Sequence, residues 1–266
     1  MRAPRKSLVL EKLRAGETVF SFKLNLNCSR PVEIAALSGY DCVWICNEHV
    51  PSDYSIMEKQ ILAAKAYDID CMVRVPRGSY SDLIKPLEID ASGIMIPHIM
   101  SAEDARKIVW QTRFHPVGRR PVDGGNADGM FCMLPNDEYY KFANENRFVV
   151  VQIEDPEPLD ELDAICSIDG IDMIFFGPGD FSQGIGTPGD FSNPKIAETR
   201  KLVAEAARRH GKFAGTVAAP ATVEEYAGMG YQFLNIGADV IGLGNYCNEL
   251  QAKLKSIKIN KINSIY

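Results

Sequence analysis

The chain has 266 residues, and 29 Lys and Arg against 35 Asp and Glu give a formal net charge of −6. At 46% hydrophobic and 24% charged it has the balance of a folded globular protein, and its acidic excess argues against nucleic acid as a partner, because phosphate backbones call for a basic face. No apolar run reaches the roughly 18 residues of a membrane span, and the start MRAPRKSLVLEKLRAGE lacks the long apolar stretch and small-residue cleavage site of a signal peptide.

Along the chain, short runs rich in Val, Ile and Phe alternate with longer segments of helical spacing. A strand is predicted over Thr18–Leu26, a helix over Pro31–Ser38 stopped by Gly39, a strand over Cys42–Cys46, and a helix over Asp53–Tyr67. Strands over Cys71–Val75 and Gly93–Ile96 precede helices over Ser79–Leu87 and Ala102–Gln111, the latter capped by Ser101. An irregular stretch, Thr112–Asn136, leads to a short helix over Asn136–Asn144, a strand over Phe148–Ile153, a helix over Pro158–Ser167 and a strand over Met173–Phe176. The Gly/Pro-rich segment Gly177–Pro194 reads as a loop. Then come a helix over Lys195–His210, a strand over Phe213–Val217, a helix over Thr222–Met229, a strand over Phe233–Ile236 and a last helix over Val240–Lys255.

About eight strands alternating with about eight helices, in a chain near the typical length, predict a (β/α)8 TIM barrel. An open doubly wound sheet is the alternative. Nothing in the composition marks a linker, so residues 1–266 read as a single (β/α)8 barrel domain. The seven cysteines are scattered and form no C-x-x-C pair. They read as free thiols of a reducing, cytoplasmic compartment and not as a zinc site.

In such a barrel the chemistry gathers at the C-terminal strand ends. After the second strand come Asn47, Glu48 and His49; after the third, Arg74; after the fourth, Pro97 and His98. After the fifth come Gln152, Glu154 and Asp155; after the sixth, Gly177 to Asp180. Glu154 and Asp180 suit a hard divalent cation, with an arginine pair and a helix cap as the respective alternatives. Arg74 offers a planar fork for a carboxylate or a structural ion pair. His49 is a candidate acid/base, and His98 is either functional or a packed, satisfied histidine. The segment GPGDFSQGIG lacks the third glycine of a dinucleotide fingerprint, where Ser182 stands, and no helix is expected directly behind it. Its amides suit a carboxylate better. None of the strand ends singled out carries a lysine, which favours a metal route over an imine.

Several stretches carry a resemblance: EH at Glu48–His49, VR at Val73–Arg74, G-x-x-x-P then S-A-E-x-A at Gly93–Ala105, P-x-G-x-R at Pro116–Arg120, VQIE at Val151–Glu154, and G-P-x-D-x-S at Gly177–Ser182. From about Leu24 to about Leu254 the chain resembles the HpcH/HpaI aldolases, metal-dependent class II pyruvate aldolases that include 4-hydroxy-2-oxoheptanedioate and 2-keto-3-deoxy sugar acid aldolases. The resemblance implies a phosphoenolpyruvate/pyruvate-type barrel, assembled as a hexamer (a trimer of dimers) with the C-terminal helix swapped between subunits. It implies Glu154 and Asp180 as ligands of Mg2+, Mn2+ or Co2+, Arg74 at the keto acid, Gln152 beside the metal, and the amides of Gly179 and Asp180 at the substrate carboxylate. His49 matches the acid/base, and Arg120 the arginine of P-x-G-x-R. The expected substrates are a small 2-oxo acid and an aldehyde. The chain departs from the family pattern at Cys46 and Glu88, each where the family has Asp, at His98, where it has an apolar residue, and at Pro121, where it has Gly. Other readings on the same scaffold are a CoA-ester lyase, a 2-oxo acid decarboxylase, or a non-catalytic ligand-binding homologue, the last suggested by Cys46.

Overall fold

The computed structural model describes residues 3–257. Eight strands form one closed, all-parallel barrel in chain order. They are β1 (Val19–Leu24), β2 (Cys42–Cys46), β3 (Asp70–Arg74), β4 (Gly93–Ile96), β5 (Phe148–Ile153), β6 (Met173–Phe176), β7 (Phe213–Ala218) and β8 (Phe233–Ala238). The helices are α1 (Leu8–Arg14), α2 (Arg30–Leu37), α3 (Tyr54–Ala66), α4 (Tyr80–Glu88), α5 (Ala102–Thr112), α6 (Asn136–Asn146), α7 (Leu162–Cys166), α8 (Pro178–Gly184), α9 (Pro194–Arg209), α10 (Val223–Met229) and α11 (Asp239–Lys255). The barrel expectation holds. Strands β2, β4, β5 and β6 keep their predicted bounds.

Two helices lie where the sequence reading had none. One is α1, ahead of the first strand. The other is α8, inside the segment read as a loop: Gly177 is its N-cap and Pro178 occupies its first turn, where a missing N–H costs nothing. The run at Gly177 therefore does open onto a helix, contrary to the sequence expectation.

Strand alternation sorts the core into two layers. Val43, Ile45, Val73, Ile94, Val149, Val151, Ile153 and Ile174 point outward beneath the helices. Val19, Cys42, Trp44, Met72, Met95, Phe148, Val150, Met173, Phe175 and Phe233 fill the barrel interior. The filling is tight at Gly93, where a Cβ would lie 2.2 Å from the Phe148 ring.

Helix α1 closes the N-terminal end of the barrel, adding Val9, Leu10 and Leu13 to the interior cluster. It is latched by Asp70, a fully buried carboxylate at the start of β3. That carboxylate accepts from Ser7 Oγ at 2.5 Å, Val9 N at 2.9 Å and Arg5 Nη1 at 2.6 Å. Removing one partner of such a buried set strands the rest, so Asp70→Ala is expected to cost about 3–5 kcal/mol of stability. Equilibrium denaturation checks this, with retained activity in the folded fraction, because the latch lies at the opposite end of the barrel from the site.

Candidate active site

The same alternation that packs the interior brings polar side chains to its C-terminal mouth. Counting by twos, Val19 and Ser21 are followed by Lys23; Cys42 and Trp44 by Cys46; Met72 by Arg74; and Phe148 and Val150 by Gln152 and Glu154. These residues end strands β1, β2, β3 and β5 and face one enclosure.

Glu154 directly follows β5 and is 1% exposed. Its Oε2 accepts from Gln152 Nε2, and its Oε1 accepts from the backbone N–H of His98 at 2.9 Å. His98 presents that N–H with φ at +48°, a left-handed conformation uncommon outside glycine. Gly177 passes so close that a Cβ there would lie 2.7 Å from both Gln152 Nε2 and Glu154 Oε2. Burial lifts the Glu154 carboxyl to about 7, against the pull of His98 and Arg74, and nearby Asp180 adds to the rise. A carboxylate so disfavoured by its surroundings is suited to a strong positive charge.

Ligand-capable atoms of His98, Glu154 and Asp180 lie within 4.8 Å of one another. The ring of His98 is oriented by Asp155, whose Oδ2 is 2.8 Å from Nδ1. Nε2 then faces the mouth, 3.8 Å from Glu154 Oε1 and 3.7 Å from Glu48 Oε1. Burial opposes a charge on this ring, but Asp155, Glu154 and Glu48 together outweigh it and raise its pKa. Carboxylate, imidazole, then open site is the order by which proteins orient metal-binding histidines. Glu48 Oε2 and Gln152 Oε1 are buried acceptors with no hydrogen-bond donor. Carboxylate and amide oxygens left without an aligned donor fit a hydrated divalent cation.

Arg74 is 4% exposed, its guanidinium 5.0 Å from the centre of the Trp44 ring. Its Nε is 2.9 Å from Glu48 Oε2 without hydrogen-bond alignment, and its Nη2 donates to Cys46 Sγ at 3.2 Å. Cys46 thus lies against the arginine. His49 is exposed, its Nε2 3.5 Å from Glu48 Oε2. Gly179 and Asp180 occupy the first turn of α8, where backbone N–H groups have no helical carbonyl to bond.

Two candidates fall elsewhere. Arg120 is buried against Asp128, with Nη2 2.7 Å from Oδ2, and stacks on Phe114. Tyr139 donates its hydroxyl to the same Asp128 oxygen at 2.7 Å. Glu88 is electrostatically tied to this group through Arg120 and Asp128, and burial raises its pKa. Arg120 therefore belongs to an ion pair with Asp128, with Glu88 within electrostatic reach, between α4, α6 and the Thr112–Asn136 segment. The sequence reading also missed Lys23. Its partner in the β1–β2 register is Trp44, and its Nζ lies 5.0 Å from that ring. A lysine does stand at a strand end, so the absence of one cannot favour the metal route; the His98, Glu154 and Asp180 grouping does so instead.

The comparisons agree with this architecture. The HpcH/HpaI aldolase/citrate lyase family matches residues 22–245. A 2-keto-3-deoxy-L-rhamnonate aldolase from Salmonella gallinarum is 32% identical over 249 residues, which cover 93% of each chain. An HpcH/HpaI aldolase from Desulfitobacterium hafniense superposes with a TM-score of 0.90 at 29% identity, covering 97% of this chain and 100% of that one. The citrate synthase SbnG superposes with a TM-score of 0.86 at 28% identity, covering 94% and 97%. The chain belongs to the HpcH/HpaI aldolase/citrate lyase family and is an aldolase-type carbon–carbon lyase.

Proposed function

We propose that the protein is a divalent-metal-dependent class II aldolase that cleaves a 4-hydroxy-2-oxo acid to pyruvate, or a close 2-oxo acid, and an aldehyde. The observation that carries this reading is the buried Glu154 carboxyl, raised to about 7 and facing Asp180 and the Asp155-oriented ring of His98. The substrate named for the Salmonella relatives, a 2-keto-3-deoxy sugar acid, has this same 4-hydroxy-2-oxo pattern.

Glu154 and Asp180 would hold the cation, with His98 as a third donor. Bound there, the cation supplies Lewis-acid stabilisation of negative charge on the 2-oxo oxygen. Arg74 adds a fixed positive charge to the same region, and its contacts with Glu48, Cys46 and Trp44 keep it from swinging away. The first-turn amides of Gly179 and Asp180 bind the substrate carboxylate. His49 takes the proton of the C4 hydroxyl as the C3–C4 bond breaks and C4 leaves as the aldehyde carbonyl; the electron pair of that bond passes to C3, and the His49 imidazolium returns its proton there.

Incubation with pyruvate in D2O tests this directly. Loss of the methyl proton NMR signal is expected with Mn2+ or Mg2+ and not with chelator present. Silence with every divalent metal overturns the reading and favours a ligand-binding homologue. The donor set has its own test. Asp155→Asn, which disturbs the orientation of His98, is expected to weaken Mn2+ binding by about tenfold in titration calorimetry. Glu154→Gln is expected to reduce it further.

We also propose that the chain assembles as a homo-oligomer through α11. No residue of α11 is buried. Val240, Ile241, Leu243, Tyr246, Leu250 and Leu254 are all at least 41% exposed. Meanwhile Phe20, Phe22 and Ile236, on the outer faces of β1 and β8, are only partly covered. An apolar helix standing off its own barrel beside an under-covered wall fits exchange with a neighbour. Leu243→Glu combined with Tyr246→Glu is expected to lower the mass measured by light scattering. An unchanged mass overturns that assignment.

A further inference from the structure

Away from the mouth, helix α9 buries a cation that nothing in the fold compensates. Arg200 is 8% exposed, with its guanidinium 4.4 Å from the centre of the Tyr226 ring and 5.7 Å from that of Phe176. A ring face attracts a guanidinium but supplies no acceptor for the N–H groups in its plane. Nε is buried without a partner, and among the described residues the group has no carboxylate within 4.0 Å and no hydrogen-bond acceptor. Two other cations of the same helix contrast with it. Lys201 lies 3.9 Å from Glu205, and Arg209 lies 2.8 Å from Asp163. Both pairs are on the surface, where a counter-ion matters little. Arg200 lacks one where removal from water makes the charge costly.

The same arginine lines a cavity of about 270 Å³ whose walls also include Pro178 of α8, Phe191, Ala218 of β7, Thr222 and Tyr226 of α10. That volume is close to the lower limit for small-molecule sites, roughly 300 Å³. Its walls are mainly apolar. The Thr222 hydroxyl is engaged, accepting from the Ala219 N–H and donating to the Ala219 carbonyl at 3.1 Å each, so Arg200 is the one charged group on the cavity wall. Neither Glu154, Asp180, His98 nor Arg74 lines it, so the cavity is distinct from the mouth. One planar fork matches one carboxylate in bidentate fashion, whereas a phosphate dianion would find no second cation. We propose that this cavity is a second ligand site. It binds a small organic acid, with the carboxylate on Arg200 and the apolar body against Pro178, Phe191 and Tyr226.

The probe is benzoate, with benzamide as its neutral counterpart of the same shape. Binding to the full chain is titrated by saturation-transfer NMR for wild type, Arg200→Met and Arg200→Lys, and the benzoate-induced rise in melting temperature is measured alongside. Wild type is expected to bind benzoate about tenfold or more tightly than benzamide, the scale of one charge-assisted hydrogen bond. Arg200→Met, which keeps an apolar stem against the rings, should weaken benzoate by a similar factor and remove the thermal shift. Arg200→Lys should recover part of the affinity, because it keeps the charge and loses the fork. Benzoate binding that survives Arg200→Met places the acid elsewhere, the mouth included, and overturns the assignment. Equal binding of benzamide, or no binding of either by wild type, also overturns it and leaves Arg200 as a cation held by two rings. Tighter binding of inorganic phosphate than of benzoate overturns the organic-acid class.

Discussion

The site depends on one buried carboxylate. Glu154 is removed from water at the mouth of the barrel, and burial makes its charge unfavourable unless something positive compensates it. The fold surrounds it from several elements. Gln152 from the same strand and the His98 backbone from the β4 end hold its two oxygens, Gly177 lets the next strand approach, and Asp180 follows one turn into α8. None of these contacts neutralises the charge. Its pKa stays raised, to about 7, although His98 and Arg74 pull it down, so a further positive charge at this point would favour its ionised form.

Closure of the barrel makes this possible. In a parallel strand every second side chain faces the interior, and eight strands closed on one another bring those positions to a common centre. Lower down, the inward positions are Trp44, Met72, Phe148, Phe175 and Phe233, which exclude water. One step higher they become Lys23, Cys46, Arg74 and Glu154. The apolar layer is thus the floor on which the charged layer stands, and the stacking of both Lys23 and Arg74 on Trp44 is its direct expression. At the other end α1 and its Asp70 latch close the barrel, separating stability from chemistry along the axis.

Much of this was legible in the residues. The strands β2, β4 and β6 are uninterrupted apolar runs, β5 is broken only by Gln152, and burial on both faces is the reason such runs are visible. Glu154, Asp180, Arg74 and Gln152 stood out because they lie at or just beyond the ends of apolar strands, in motifs resembling a known family. Lys23 was legible too, by counting in twos from Val19, but a lysine in TVFSFKLNL reads as the polar half of an amphipathic strand until the inward face is known. Helix α8 was hidden because Gly, Pro and Asp signal a turn in local statistics, whereas here Pro178 and Asp180 start a helix whose C-terminal part is held by Phe181 packing on Phe176. Helix α1 gave too short a pattern to stand out, and its partners are in the barrel interior.

The sequence by itself determined the alternation of strand and helix, the parallel barrel and the identities of the charged residues at its strand ends, because periodic burial and turn chemistry are local. Tertiary structure alone decided which of those charges share one enclosure. It set Arg120 and Glu88 apart with Asp128 and turned the ring of His98 toward Glu154 through Asp155. Electrostatic partnership depends on distance through space and on exclusion of water, and neither is a property of neighbouring positions along a chain.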